Sequence, residues 1–192
     1  MNIHQIIISD TANGVGQRVS VFVSGCTKHC PGCHNKPGWN FDFGEPFDEA
    51  RQQYILNQFR TVPVYDGITL LGGDPDEPEN QSAVLAFIKR FRSEFPDKTV
   101  WLYTGDLFED ICPGGRLNTP DLTQILIFTD VLVDGTFVEE EKDVRLNFRG
   151  SRNQRIIDVK SSLSAGQAIE LTQYYNTPAD RKSIMERENE KS

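Results

Sequence analysis

The sequence predicts an α/β protein in which strands and helices alternate around a mainly parallel sheet. Short apolar or alternating runs typical of strands recur along the chain, and segments with apolar residues at helical spacing separate several of them. The length of 192 residues adds a bound, because a complete eight-unit barrel needs roughly 250 residues. We therefore expect an incomplete TIM-type barrel, or a splayed parallel sheet, with function in the loops after the strands.

The first predicted elements occupy residues 5–95. Strands are expected at residues 5–9 and 18–24, and in the second of these Val19, Val21 and Val23 alternate on one face. A helix is predicted over residues 47–60 and a short buried strand over residues 67–71. Asn80 is expected to cap the next helix, which ends at Phe95 before a proline.

The remaining elements follow the same alternation. We predict a strand at Thr99–Tyr103, a helix from the Thr119 cap to about Phe128, and strands over residues 130–134 and 155–159. Residues 1–165 should form a single domain. Residues 166–192 should form a C-terminal helix and a charged tail, because this end of the chain is rich in charged and polar residues.

Composition excludes several function classes. Lysine and arginine number 20 against 28 aspartates and glutamates, a net charge of −8, which disfavours a broad nucleic-acid-binding face. No stretch approaches the roughly 18 uninterrupted apolar residues of a membrane span, and the first residues lack the features of a secretory signal. We expect a cytoplasmic protein whose partners include neither nucleic acid nor a membrane.

Three of the four cysteines form a C-x3-C-x2-C loop directly after a predicted strand: Cys26, Cys30 and Cys33. Three thiolates at this spacing can bind three irons of a four-iron cluster and leave the fourth iron open to a small molecule. The alternative is a structural zinc ion held by these cysteines and His29 or His34. Cys112 is either a distant fourth ligand or an ordinary loop thiol.

The cysteine loop, together with Gly72-Gly73-Asp74-Pro75 after a later strand, resembles the radical S-adenosyl-L-methionine (SAM) superfamily. Within it, the sequence is most similar to the activating proteins of anaerobic ribonucleoside-triphosphate reductases, which are glycyl-radical-enzyme activases. Further stretches that carry the resemblance are residues 13–18, 30–35, 130–137 and 148–155, the last containing Arg-Gly-Ser and Asn-Gln-Arg. The sequence departs from the family pattern at Asp74, where glutamate is usual, and at Lys28, where histidine is usual.

The resemblance implies one 4Fe-4S cluster, bound by the three cysteines, and SAM, bound at its open iron. Gly72 and Gly73 would let the backbone approach closely, and the Asp74 carboxylate would accept hydrogen bonds from the ligand's ammonium. Gly32 and His34 flank Cys33, where the backbone of the family runs along the adenine. An ordinary turn is the alternative for the Gly-Gly-Asp-Pro stretch taken alone.

Three further residues are candidates for the same pocket. Thr104 and Asp134 end later strands and could line it, or could be plain strand-end turn residues. Arg149 belongs to a run of four arginines within residues 145–155. It could reach the SAM carboxylate, its segment could dock the partner, or the run could be a solvated loop.

The activity that the resemblance implies is reductive cleavage of SAM and formation of a glycyl radical on the large subunit of the reductase. An external one-electron donor, flavodoxin-like, is implied with it. Two alternatives stay open. A radical SAM enzyme could act on another glycyl-radical enzyme or a small molecule, as 7-carboxy-7-deazaguanine synthase does, and a non-enzymatic zinc module would use the same cysteines differently.

Overall fold

The structure, a computed structural model, describes residues 1–176. Its strands are β1 (Asn2–Asp10), β2 (Arg18–Val23), β3 (Glu45–Pro46), β4 (Gly67–Gly72), β5 (Thr99–Tyr103), β6 (Val131–Asp134) and β7 (Arg155–Asp158). Its α-helices are α1 (Glu49–Thr61), α2 (Pro78–Glu94), α3 (Phe108–Ile111), α4 (Pro120–Phe128) and α5 (Val159–Ala165). Short 3-10 turns lie at Lys36–Trp39, Glu139–Glu141 and Thr172–Tyr174. The predicted α/β class is confirmed.

All seven strands belong to one sheet, in the order β3-β1-β2-β4-β5-β6-β7. The four central strands, β2, β4, β5 and β6, pair in parallel, and β1, β3 and β7 pair antiparallel to their neighbours. In this order the sheet is open, with β3 and β7 at its edges. The incomplete TIM-type barrel stays a prediction.

The last strand departs from the predicted parallel pattern. Between β6 and β7 lie residues 135–154, whose only helical element is the 3-10 turn at Glu139–Glu141. A parallel return requires a crossover that carries the chain back along the sheet, usually through a helix. Without one, β7 pairs antiparallel with β6, so that Val133 lies opposite Ile156.

The main core lies between one face of the sheet and helices α1, α2 and α4. Alternate strand residues point into it, and the predicted alternation of Val19, Val21 and Val23 on one face is confirmed, because all three are fully buried there. The other residues of this layer are Ile68, Leu70, Val100, Leu102, Leu132 and Ile157 from the strands, with Ile55, Leu56, Val84, Ile88, Phe91, Ile125 and Leu126 from the helices.

Helix α2 begins earlier than predicted. Pro78 occupies its first turn, where the missing N–H of proline leaves no helical hydrogen bond unmade, and Glu77 is the N-cap. Asn80 is therefore not a cap. Its buried amide instead donates to the backbone oxygens of Ser24, at 3.1 Å, and Asp74, at 2.9 Å.

Other boundaries follow local signals more closely. The predicted Thr119 cap of α4 is confirmed, since its side chain accepts a 3.0 Å hydrogen bond from the N–H of Leu122. The short elements β3, α3 and α5 were not predicted. Residues 166–176 contain the 3-10 turn at Thr172–Tyr174, and the rest of the predicted C-terminal helix and tail lies outside the described residues. No helix among residues 1–176 is long and apolar enough to cross a membrane.

Candidate functional site

A cavity of about 380 Å³ opens at the carboxyl ends of β2, β4 and β5. Its wall includes Phe22, Leu71 and Tyr103, which alternate along their strands with residues of the main core. The cavity therefore lies on the sheet face away from helices α1, α2 and α4. The predicted site residues that line it are Cys26, Cys30, Cys33, His34, Gly72, Gly73, Asp74, Thr104 and Arg149. Residues far apart in the sequence therefore meet at the carboxyl ends of the central strands.

The cysteine loop begins where β2 ends and is held by its own backbone. Gly25 has a φ of +100°, and a Cβ there would lie 2.1 Å from the ring of Phe41. The N–H groups of Gly25 and Cys26 donate to the backbone oxygens of Gly38 and Trp39, at 2.8 and 3.1 Å. These bonds close the loop over the 3-10 turn and direct three cysteines, none of them in a disulfide, towards one cavity.

The donor set fits a cluster better than a single ion. Among residues 1–176, no three His, Cys, Asp or Glu side chains converge closely enough to hold one metal ion. A four-iron cluster takes each thiolate on a different iron, so its ligands need not converge on one point. Burial raises the pKa of the Cys26 thiol to about 11, so its thiolate needs a compensating positive charge, which bound iron would supply.

The additional ligands that a zinc site would need are placed differently. His29, with a φ of +47°, packs against Trp39 with ring centroids 4.6 Å apart and the rings tilted by 34°, and it does not line the cavity. His34 does line it, beside Cys33. Cys112 ends α3 outside the cavity, and its Sγ lies 3.7 Å from the backbone oxygen of Glu109. Cys112 is therefore not a fourth ligand in this arrangement.

The glycines after β4 allow two loops to touch. A Cβ on Gly73 would lie 2.4 Å from the backbone oxygen of Gly25, and a Cβ on Gly72, whose φ is +115°, would lie 2.7 Å from the backbone oxygen of Val23 at the end of β2. The N–H of Gly73 donates to the backbone oxygen of Val23 at 2.7 Å, and the N–H of Asp74 donates to the backbone oxygen of Gly25 at 2.8 Å. These glycines therefore allow the loop after β4 to pack against the cysteine loop. Both glycines also line the cavity.

Asp74 is buried, and both of its carboxylate oxygens are occupied. Oδ1 accepts the N–H of Asp76 at 3.0 Å. Oδ2 accepts the N–H of Gly105 at 3.0 Å and the hydroxyl of Thr104 at 3.2 Å, and it lies 2.8 Å from the ammonium of Lys28. Thr104 therefore orients Asp74 in addition to lining the cavity.

Lys28 is a site residue that the sequence did not single out for function. Its ammonium, from the middle of the cysteine loop, bridges Asp74 and Asp106, at 2.8 and 2.9 Å, and lies 3.9 Å from Glu77. Burial opposes its charged form, but Asp74 and Asp106 outweigh that effect and raise the pKa of Lys28 above its usual range. The sequence did contain one signal for this role: Lys28 lies between two cysteines, at a position where the family that the sequence resembles usually has histidine.

Arg149 enters the cavity wall from the loop after β6. It is only 7% exposed, its guanidinium lies 4.0 Å from the ring centroid of Tyr175, and it donates to the backbone oxygen of Gln154 at 3.2 Å. Gln154 shapes the loop, accepting the N–H of Gly150 at 2.8 Å and donating to the backbone oxygen of Gly135 at 3.0 Å. The Arg-Gly-Ser and Asn-Gln-Arg stretches are therefore one hydrogen-bonded unit that positions Arg149.

Asp134 does not line the cavity, contrary to expectation. It is fully buried, and its carboxylate pairs with Arg155 and accepts the N–H of Phe108 at 2.8 Å. Its pKa is raised by burial, with Arg155 opposing the shift. The carboxyl end of β6 is thus used to hold β7 and α3 together, which a strand-end position alone does not reveal.

Gly32 also lies outside the cavity lining. Its φ is +71°, and a Cβ there would lie 2.5 Å from the Glu139 side chain, so it fits the loop between Cys30 and Cys33 against a neighbouring turn.

The other arginines of residues 145–155 have different contacts from Arg149. Arg145 and Arg152 face Asp143, at 2.7 and 3.8 Å. The arginine run is therefore neither wholly a solvated loop nor wholly a binding surface.

Tyr103 is a second lining residue that was not predicted. It ends β5, and its hydroxyl is buried without a hydrogen-bond partner. Burial raises its pKa above the usual range, so the hydroxyl stays protonated and is available as a donor to whatever fills the cavity. The end of a parallel strand was the available signal.

Comparison with known proteins agrees with this geometry. The family described as a 4Fe-4S single cluster domain matches residues 12–157. An anaerobic ribonucleoside-triphosphate reductase-activating protein of Haemophilus influenzae is 40% identical over 157 residues, covering 81% of this chain and 97% of that protein. The protein of the same name in Escherichia coli K12 is 41% identical, covering 80% and 96%, and that of enterobacteria phage T4 is 34% identical, covering 81% and 93%.

Proposed function

The chain belongs to the family of anaerobic ribonucleoside-triphosphate reductase-activating proteins, and from this premise we propose that it is a SAM-cleaving iron–sulfur activase. Its target is the large subunit of the anaerobic reductase, on which it generates a glycyl radical. One observation carries the proposal: the three loop cysteines and Asp74 line a single cavity at the carboxyl end of the parallel strands.

A 4Fe-4S cluster bound by Cys26, Cys30 and Cys33 would supply the electron that cleaves SAM to methionine and a 5′-deoxyadenosyl radical, which abstracts a hydrogen atom from the target glycine. The chain's own residues bind and orient the substrate. Asp74 is the acceptor for the ammonium of SAM, and Thr104 holds the Asp74 carboxylate in place. The buried guanidinium of Arg149 supplies the positive charge for the SAM carboxylate.

The adenosyl part of SAM occupies the cavity beside Cys33 and His34. Phe22 and Leu71 give this part of the cavity an apolar wall, which suits a nucleoside and limits access of water. The incomplete barrel, the flavodoxin-like electron donor and the cytoplasmic location belong to the same proposal. A cavity at the carboxyl ends of the parallel strands of an open sheet suits a glycine carried on a loop of a large protein partner.

The decisive experiment is anaerobic purification followed by iron and sulfide analysis, with EPR of the dithionite-reduced protein before and after SAM is added. The expected result is about four irons per chain and a signal that changes with SAM. Cys26→Ala, Cys30→Ala and Cys33→Ala should each abolish SAM cleavage. Cys112→Ala is the matched control and should retain it, since Cys112 lies outside the cavity.

One zinc ion, no colour and no EPR signal would contradict the proposal and favour the zinc module. Full activity of any of the three cysteine variants would contradict it as well. The target is tested by SAM turnover with and without the anaerobic reductase. Turnover that does not respond to the reductase would favour another glycyl-radical enzyme or a small molecule as the substrate.

A further inference from the structure

The Lys28 ammonium occupies the place where a ligand's ammonium would meet Asp74. It lies 2.8 Å from Asp74 Oδ2 and 2.9 Å from Asp106 Oδ2. The Lys28 side chain packs closely against Gly105. A Cβ on that glycine would lie 2.3 Å from Cδ of Lys28, so only glycine leaves room for the lysine there. Only 16% of the Lys28 side chain is exposed.

The hydrogen-bonding capacity of Asp74 Oδ2 is already used. A carboxylate oxygen offers about two lone-pair sites. Oδ2 faces three donors, the Lys28 ammonium, the Thr104 hydroxyl and the Gly105 N–H, and Oδ1 accepts the N–H of Asp76. An additional ammonium can therefore bind at Oδ2 only if one of its three donors leaves. The backbone N–H and the buried hydroxyl are fixed, whereas the lysine side chain can move.

We propose that Lys28 is a resident occupant of the ammonium subsite, which the ammonium of an amino-acid ligand displaces and which Asp106 retains after displacement. The identity of that ligand as SAM rests on the proposed function. Lys28 is thus a positioning residue: it acts on the ligand through Asp74, and it sets the affinity of the site for ligands that carry an ammonium.

The surrounding charges explain why such an occupant is needed. Asp74, Asp76 and Glu77 are buried, and Asp106 is 20% exposed, so without a cation four carboxyl groups would lie close together and largely out of water. Lys28 compensates them while the ligand is absent. When a ligand ammonium arrives, Asp106 keeps the lysine charge paired, so that neither cation is left uncompensated.

The test measures dissociation constants by titration calorimetry under anaerobic conditions, on the full chain with its cluster. Three probes are compared: SAM, S-adenosylhomocysteine and 5′-methylthioadenosine, of which the last has no ammonium. Lys28→Met should tighten binding of the first two about tenfold, the size of one charge-assisted hydrogen bond relieved of competition, and leave 5′-methylthioadenosine unchanged. Lys160→Met, an exposed lysine on α5, is the matched control and should change none of the three.

Asp106→Asn should act in the opposite direction and weaken SAM binding several-fold, because a displaced Lys28 then loses its carboxylate at 2.9 Å and keeps only the more distant Glu77, at 3.9 Å. If Lys28→Met does not take up iron, the proposal is tested by SAM binding to Asp106→Asn alone. Equal weakening of all three probes by Lys28→Met would overturn the proposal and make Lys28 a structural clamp. Unchanged or tighter SAM binding by Asp106→Asn would also overturn it. Failure of the unaltered protein to bind SAM would instead refute the proposed function and remove this proposal with it.

Discussion

The two faces of the central sheet are built from alternate residues of the same strands, yet they bury different chemistry. On the helix-covered face, Val21, Leu70 and Leu102 are fully buried among apolar side chains. On the cavity face, Arg18 and Thr69 are just as buried but polar. Equal burial therefore does not mean equal function: one face provides hydrophobic stability, and the other holds polar groups in fixed positions beside the site.

On the cavity face, a hydrogen-bonded arginine lies at the amino ends of the strands, and polar groups without partners lie near their carboxyl ends. At the amino ends of the strands, Arg18 donates to Thr69 Oγ1 at 2.6 Å, to the backbone oxygen of Ile68 at 2.6 Å and to Thr99 Oγ1 at 2.9 Å. Burial lowers the pKa of Arg18 to about 10, so it remains charged at neutral pH. At the carboxyl ends, the hydroxyl of Tyr103 and both carboxylate oxygens of Asp76 lack partners. Of these two residues, Tyr103 lines the cavity in which the ligand is proposed to bind.

The largest effect on stability should come from the helix-covered face. Phe91 is fully buried on α2, with its ring centroid 4.9 Å from that of Phe59. Phe91→Ala should lower the free energy of unfolding by about 3–5 kcal/mol, because the cavity it leaves has no polar group that could hold water. Urea unfolding of the apoprotein measures this. Tyr54→Ala, a half-exposed aromatic on α1, is the control, and an equal loss there would contradict the comparison.

The cavity face should respond to lost hydrogen bonds rather than to lost volume. Thr69→Val preserves shape but removes the hydroxyl, whose oxygen accepts from Arg18 and whose O–H donates to the backbone oxygen of Asn13, and it should lower the free energy of unfolding by about 2 kcal/mol. Ser20 on the same face is equally buried, but its hydroxyl has no partner. Ser20→Ala should therefore be neutral or stabilising in the same urea titration. A loss at Ser20 equal to that at Thr69 would show that burial alone decides.

The buried Asp76 carboxyl group, whose oxygens have no hydrogen-bond partner, should make the stability of the protein depend on pH. Burial first, then Asp74 and Asp106, raise the pKa of Asp76 well above its ordinary value of 3.8. For a carboxyl group with a raised pKa, stability is full below the unfolded pKa and falls as pH rises towards the folded pKa. Asp76→Asn should thus stabilise the apoprotein by about 2 kcal/mol at pH 8 and not at pH 3.5. Asp97→Asn, at an exposed position, should show no such pH dependence in matched denaturation curves.

The smallest effect is expected outside both faces, in the loop that carries Arg149. The hydrogen bonds from Arg145 hold the pKa of Asp143 below its usual range. That contribution is present above the ordinary pKa of an aspartate and is lost as pH falls through the lowered value. Asp143→Asn should leave the midpoint of global unfolding unchanged and accelerate amide hydrogen exchange locally, in residues 142–151. A shifted midpoint would place this loop within the cooperative core.

Much of the architecture followed from local patterns. The alternation of Val19, Val21 and Val23 predicted which face of β2 is apolar, and Thr119 before a proline predicted the start of α4. The cysteine loop and the Gly72-Gly73-Asp74 stretch were predicted to follow strands. The cysteine loop follows β2, and Gly73 and Asp74 follow β4, whose last residue is Gly72. These features depend on residues close in the chain, so a single sequence contains the information.

Contacts between loops were decided by the tertiary structure alone. The sequence by itself determined the strand periodicity, the cysteine spacing and the charge at each position. It did not determine that Lys28 pairs with Asp74 and Asp106, that Gly73 faces Gly25, or that Asp134 turns from the cavity to Arg155. Each of these pairings joins the ends of different strands, and strand order and register decide which ends meet. Their physical cause is the packing of the whole sheet, which no local stretch of sequence encodes.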